Sequence, residues 1–152
     1  MLLRFLLLAP LLLLLIPAQG QLQLDGLWEG TLTIGGIESR TGYRLEIYIE
    51  RKGNSRVEGR SYLHVSPQRI VEMRFSGTLY SDFSLYIDEV AFMSEGDDFV
   101  PDFMRKYQLQ WKRSVEGSSL NGYWQEIRER NLLDETRQRG RVFLHKVKDH
   151  KA

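Results

Sequence analysis

The chain has 152 residues, with 21 lysines and arginines against 20 aspartates and glutamates, three histidines and no cysteine. So even a balance argues against nucleic acid or an anionic membrane surface as the main partner, because both demand a concentrated basic patch. The missing cysteines exclude disulfides, thiolate metal sites, cysteine nucleophiles and a lipid carried on cysteine.

Residues 1–20 read as a secretory leader. Arg4 supplies a positive charge, an apolar run extends to Ile16, and Pro17-Ala18-Gln19-Gly20 ends on small residues. The run is interrupted at Pro10 and Pro17 and is short for a span of roughly 20 apolar residues. Cleavage after Gly20 is therefore expected over a retained anchor, with no stable membrane span afterwards and a secreted or periplasmic destination. The rest of the chain suits one domain over 21–148 and a polar tail at 149–152. At this size about two-thirds of the unfolded surface can be buried, so a core without disulfides is reasonable.

Beyond the leader, apolar and polar residues alternate in short stretches separated by Gly, Asn, Ser, Asp and Pro clusters, the pattern of strands and turns. The first strand, from about Leu27 to Ile34, puts Trp28, Gly30, Leu32 and Ile34 on one face. In the second, Tyr43, Leu45, Ile47 and Ile49 oppose Arg44, Glu46, Tyr48 and Glu50. Lys52-Gly53-Asn54-Ser55 makes a tight turn, since Gly and Asn tolerate positive φ. The third strand then carries Val57, Gly59, Ser61, Leu63 and Val65 inward, and after Ser66-Pro67 the fourth carries Val71, Met73, Phe75, Gly77 and Leu79.

A turn at Ser81-Asp82 leads into the fifth strand, with Phe83, Leu85 and Ile87 on one face. Val90 and Phe92 have the opposite parity, which predicts a bulge near Asp88-Glu89. The acidic loop 94–102 comes next, then a sixth strand with Tyr107, Leu109 and Trp111 inward. The seventh alternates Leu120, Gly122 and Trp124 with Asn121, Tyr123 and Gln125. A charged connection from about Arg128 to Gly140 has room for a short helix stopped by Gly140. The last strand runs from Arg141 to Val147.

Eight strands with short connections and no long helix define an all-β chain. Its apolar face must be buried and its two edges protected, and closing the sheet into an eight-stranded antiparallel up-and-down barrel does both. A two-sheet β-sandwich buries the same face and is the alternative.

Leu24-Asp25-Gly26-Leu27-Trp28-Glu29 and Leu120-Asn121-Gly122-Tyr123-Trp124-Gln125 repeat one pattern: Leu, Asp or Asn, Gly, any residue, Trp. The first copy, Gly26-Leu27-Trp28, resembles the Gly-x-Trp motif that opens the lipocalins, the avidins and other calycins. That resemblance implies a barrel end packed by Trp28 under a basic side chain from near the final strand, where Arg139 and Arg141 are the candidates. It also implies a ligand-carrying role, although the lipocalin pattern beyond the first motif is not evident and the first connection is shorter than a lipocalin lid.

No catalytic constellation stands out, no cofactor is called for, and an enzyme is not expected. The histidines His64, His145 and His150 are scattered without metal-site spacing. Glu95, Asp97, Asp98 and Asp102 offer oxygens for calcium, yet they fit no EF-hand spacing and Phe99-Val100-Pro101 interrupts them, so a solvated loop is expected. The aromatic set Trp28, Tyr43, Phe75, Trp111 and Trp124 is the candidate ligand surface, for a small apolar or aromatic ligand at the open end.

The same rings serve equally to fill the core, for an eight-stranded barrel is just wide enough to be solid or to hold one small ligand. A solid barrel points to a cell-envelope structural or interaction module with a protein partner, for which Tyr48, Tyr62 and Tyr123 are exposed candidates. An outer-membrane barrel with its apolar parity toward lipid is the least favoured arrangement, because the third, sixth and seventh strands offer too little continuous apolar surface.

Overall fold

The computed structural model describes residues 22–93, 101–128 and 137–148. The leader at 1–20, the tail at 149–152, most of the acidic loop with the calcium candidates Glu95, Asp97 and Asp98, and His150 lie outside the described residues. So does most of the charged connection where a helix is expected.

Eight strands form one sheet: β1 (Gly26–Thr33), β2 (Gly42–Lys52), β3 (Arg56–Ser66), β4 (Arg69–Leu79), β5 (Ser84–Phe92), β6 (Arg105–Lys112), β7 (Ser119–Glu126) and β8 (Arg139–Lys146). Each pairs antiparallel with the next, and β8 returns to β1, so the barrel is closed and up-and-down. The sandwich alternative is not adopted.

The alternation read from the sequence sets the inner and outer faces. Trp28, Leu32, Leu45, Ile47, Ile49, Val57, Leu63, Met73, Phe75, Leu85, Ile87, Leu109, Leu120, Val142 and Leu144 form one buried core cluster. The opposite parity carries ion pairs, including Arg44 with Glu29 and Glu46, and Arg60 with Glu72. The buried apolar parity therefore faces the interior of the barrel, and among the described residues no helix is long and apolar enough to cross a membrane.

The phase slip in β5 is a bulge one residue beyond the expected place. Phe75 pairs with Glu89 and Arg74 with Ala91, so Val90 is skipped. Val90 is consequently exposed, while Phe92, which shares its parity in the sequence, packs against the core. One extra residue reverses the alternation, as a bulge must.

Glycine at inward positions reflects strand crowding instead of hollow space. A Cβ on Gly59 would fall 1.9 Å from the Tyr48 carbonyl oxygen and 2.6 Å from the Phe75 ring. Gly140 does not stop a helix; it lies inside β8, which begins at Arg139. A Cβ there would fall 1.9 Å from the Thr33 carbonyl oxygen and 2.7 Å from Trp124 Nε1. Only a residue without a side chain lets β8 pass this close to β1 and the indole.

Candidate functional site

The two Gly-x-Trp copies pack opposite ends of the barrel. Trp28 enters near the start of β1, and its indole N–H donates to the Leu24 carbonyl at 2.8 Å, which folds the segment before β1 over that end. Trp124 sits near the exit of β7, donates to the Thr33 carbonyl at 2.8 Å and stacks on Phe103, with ring centroids 6.2 Å apart and planes 9° apart. Each buried indole thus has an acceptor for its polar tip, as burial of tryptophan requires.

The cation over Trp28 is Lys146, whose Nζ lies 5.1 Å from the ring centroid. Neither Arg139 nor Arg141 takes that place. The reason is strand direction: β8 runs antiparallel to β1, so Trp28 pairs with Lys146 at the far end of β8. The start of β8 lies against the other end of β1, where the Arg141 backbone N–H donates to Thr33 Oγ1 and the Arg139 carbonyl accepts from Gly36. Lys146 also donates to the carbonyls of Gln23 and Asp25, fastening the segment that caps this end.

The five candidate aromatics do not converge on one surface. Trp28, Phe75, Trp124 and Trp111 are 0%, 1%, 2% and 5% exposed and belong to the core. Trp28 and Trp111 lie toward one end and Trp124 toward the other, with Phe75 between. Tyr43 is half-buried and packs against the core beside its register partner Leu32, toward the Trp124 end. His64 and His145 occupy the outer face, each 3.3 Å from a carboxylate, Glu46 and Glu29 respectively. Among the described residues no three His, Asp or Glu side chains converge as a metal site.

Two features were not singled out by the sequence. The first is a buried polar quartet toward the Trp124 end: Ser61, Glu89, Arg105 and Tyr107. Glu89 Oε1 accepts from Tyr107 Oη at 2.7 Å, Ser61 Oγ at 3.0 Å and Arg105 Nε at 3.2 Å, while Oε2 accepts from the Arg105 backbone N–H at 2.8 Å. The Glu89 carboxyl group thus gathers three side chains and one backbone N–H around its two oxygens. Burial, and then the adjacent Glu89, push the Tyr107 phenol far above its usual range. For Arg105 burial opposes the charge, but Tyr107 and Glu89 outweigh it and hold the guanidinium protonated. Arg105 Nη2 is buried with no hydrogen-bond partner in the protein.

Strand parity held the signal for this quartet. One step inward past Ile87 reaches Glu89, and one step back from Tyr107 reaches Arg105. Reading inward positions as apolar by rule hides both.

The second feature is a cleft of about 700 Å³ at the Trp28 end. It lies between the segment preceding β1, the β2–β3 and β4–β5 turns, and the end of β6. Its wall includes Leu24, Arg51, Tyr80, Phe83, Trp111 and Arg113. Phe83 has φ of 63°, the left-handed region. It is the last residue of a three-residue hairpin loop, fixed by Phe83 N–H to the Tyr80 carbonyl at 3.0 Å and Trp111 N–H to the Phe83 carbonyl at 2.9 Å. Glycine is the usual occupant of such a position, and a larger residue costs about 1–3 kcal/mol there.

The ring that this backbone presents meets Trp111 edge-to-face, with centroids 5.8 Å apart and planes at 89°. The Arg113 guanidinium lies 4.2 Å from the Phe83 centroid and 5.6 Å from that of Trp111. Trp111 Nε1 is buried without an acceptor, unlike the other two indoles. Fold and site together define a closed antiparallel barrel with an aromatic, arginine-flanked cleft at one end. Compared with protein families, with curated proteins and with solved structures, the chain matches none.

Proposed function

We propose that this protein is an exported, calycin-like barrel that binds a small apolar or aromatic ligand, in the outer cleft beside the Trp28-packed end in place of the open end expected from the sequence. The observation that carries the reading is Phe83. Glycine would close the same hairpin without strain, whereas Phe83 takes the left-handed backbone and puts a ring in the cleft wall beside Trp111. Cleft size agrees, since small-molecule sites occupy about 300–1,000 Å³. The calycin likeness rests on Gly26-Leu27-Trp28 at the entry to β1 and on a cation from the last strand over that tryptophan. Export rests on the leader pattern of residues 1–20, and a mature chain beginning at Gln21 is its direct readout.

Native mass spectrometry of the protein purified from its own host tests ligand binding. A bound mass that is retained in Tyr123→Ala and lost in a folded Phe83→Gly supports the cleft. No bound mass, together with no change in thermal midpoint against a panel of aromatic compounds, overturns it.

One observation favours a second reading, a cell-envelope interaction module with a solid core. Tyr86, Gln108, Tyr123 and Arg141 are successive register neighbours across the outside of β5 to β8, and both tyrosines are exposed. Tyrosine and arginine are both enriched at protein interfaces. Capture of a partner from envelope extract that survives Phe83→Gly and is abolished by Tyr86→Ala with Tyr123→Ala would favour it.

A further inference from the structure

The cleft also specifies the charge of what it holds. We propose that it is selective for a flat aromatic anion, with the ring against the Phe83 and Trp111 wall and the acidic group on Arg113 and Arg51; this rests on the ligand-binding reading above.

The first observation is a difference among arginines. Arg44, Arg56 and Arg60, exposed on the outer strands, each meet a carboxylate. Among the described residues Arg51 and Arg113, like Arg74 on β4, make no such pair, and these two line the cleft. Asp25 is the acidic residue in the same wall, and its Oδ1 accepts the Arg51 backbone N–H at 2.6 Å. The wall is thus left with a net positive charge. One Arg51 nitrogen is held by the Asn54 carbonyl at 3.0 Å, which orients that guanidinium without neutralising it.

The second observation is how Arg113 is placed. Stacked over the two rings, its guanidinium is fixed by cation–π attraction and keeps its N–H fork free for an oxygen pair. A carboxylate suits that fork in both geometry and charge. The third is Trp111, 5% exposed, which gives the cleft wall its second ring while its indole N–H is itself buried. A neutral hydrocarbon would leave both guanidinium charges without a counter-ion. A simple inorganic anion would leave the aromatic wall uncovered.

Titration calorimetry of the purified full chain with three probes tests the inference: naphthalene carboxylate, its neutral carboxamide, and cyclohexane carboxylate. The aromatic acid is expected to bind tightest, at least about tenfold tighter than either comparison compound. Arg113→Gln removes the preference for acid over amide while leaving amide binding in place, and Phe83→Gly weakens both aromatic probes. Arg60→Gln, on the outer face with Glu72, leaves all three unchanged and controls for net charge. Equal binding of acid and amide overturns the anion selectivity but leaves the ligand-binding reading standing. Equal weakening by Arg60→Gln and Arg113→Gln also overturns it, as diffuse attraction. If no probe binds while near-ultraviolet circular dichroism shows an intact fold, the ligand-binding reading itself falls.

Discussion

Tyr107 and Glu89 are joined inside the barrel by a 2.7 Å hydrogen bond from the phenol to Oε1, and the same oxygen receives Arg105 Nε. Taking away the carboxylate strands a buried guanidinium, whereas taking away both charges leaves apolar volume. Glu89→Leu should therefore cost about 3–5 kcal/mol, and adding Arg105→Leu should recover most of it. Urea denaturation of the two single variants and the double variant checks this. A double variant as unstable as Glu89→Leu alone would show that the charges are not coupled.

Tyr107 makes stability fall at alkaline pH. Its folded-state value is raised above the ordinary 10.0 by burial first and by Glu89 second. A raised value means that its contribution is complete below pH 10.0 and is lost as pH rises beyond it. The slope from this group is about 1.4 kcal/mol per pH unit. Tyr107→Phe should be less stable at neutral pH yet flatter above pH 10.0. In a spectrophotometric titration, the tyrosinate that this variant lacks should appear in the parent only together with unfolding.

Acid acts through a different group. Glu126 ends β7, accepts Arg128 Nε at 2.7 Å and the Gln138 backbone N–H at 3.1 Å, and so ties together the two ends of the charged connection. The Arg128 hydrogen bond is the main cause that lowers its value below the ordinary 4.5. Its stabilisation is present above that ordinary value and is lost as pH falls through the lower, folded one. Arg128→Ala should reduce the difference in urea midpoint between neutral pH and pH about 3, and an unchanged difference would refute the assignment.

At the other end, Lys146→Met keeps the aliphatic stem but removes the ammonium over Trp28. The loss should be about 1–2 kcal/mol from the ring contact, with more from the carbonyls of Gln23 and Asp25. Arg139→Ala, on the exposed side of β8, should stay within about 0.5 kcal/mol of the parent. Thermal midpoints of the two variants decide which basic residue caps the tryptophan.

Closed-barrel architecture was readable because period-two alternation and edge protection are properties of the chain pattern, and they assign Ile47, Met73 and Leu109 inward without any coordinates. Positions set by pairing were less readable. Lys146 belongs opposite Trp28 only once antiparallel direction and register are known, and Val90 turns outward because β4 lacks a partner for it. The polar quartet escaped because alternation reports hydrophobicity, and Glu89 and Arg105 are inward residues of the wrong polarity that become tolerable only beside each other. Phe83 escaped for a third reason, that nothing in a residue's identity announces a left-handed backbone. Trp111 was singled out by its ring alone, and the cleft beside it depends on turns that only the folded chain brings together.

The seam between β1 and β8 has a kinetic consequence. Synthesis delivers β1 first and β8 last, so through most of the chain's emergence β1 has only β2 beside it and Trp28 lacks its cation. Two strand edges stand open in that interval, each a template for another chain, and pairing across so long a stretch of sequence is intrinsically slow. Two copies that exchanged their β8 strands would reproduce every contact of the seam, Lys146 on Trp28 included. A domain-swapped dimer is accordingly the misassembly that this topology invites, and its yield should rise with protein concentration during refolding.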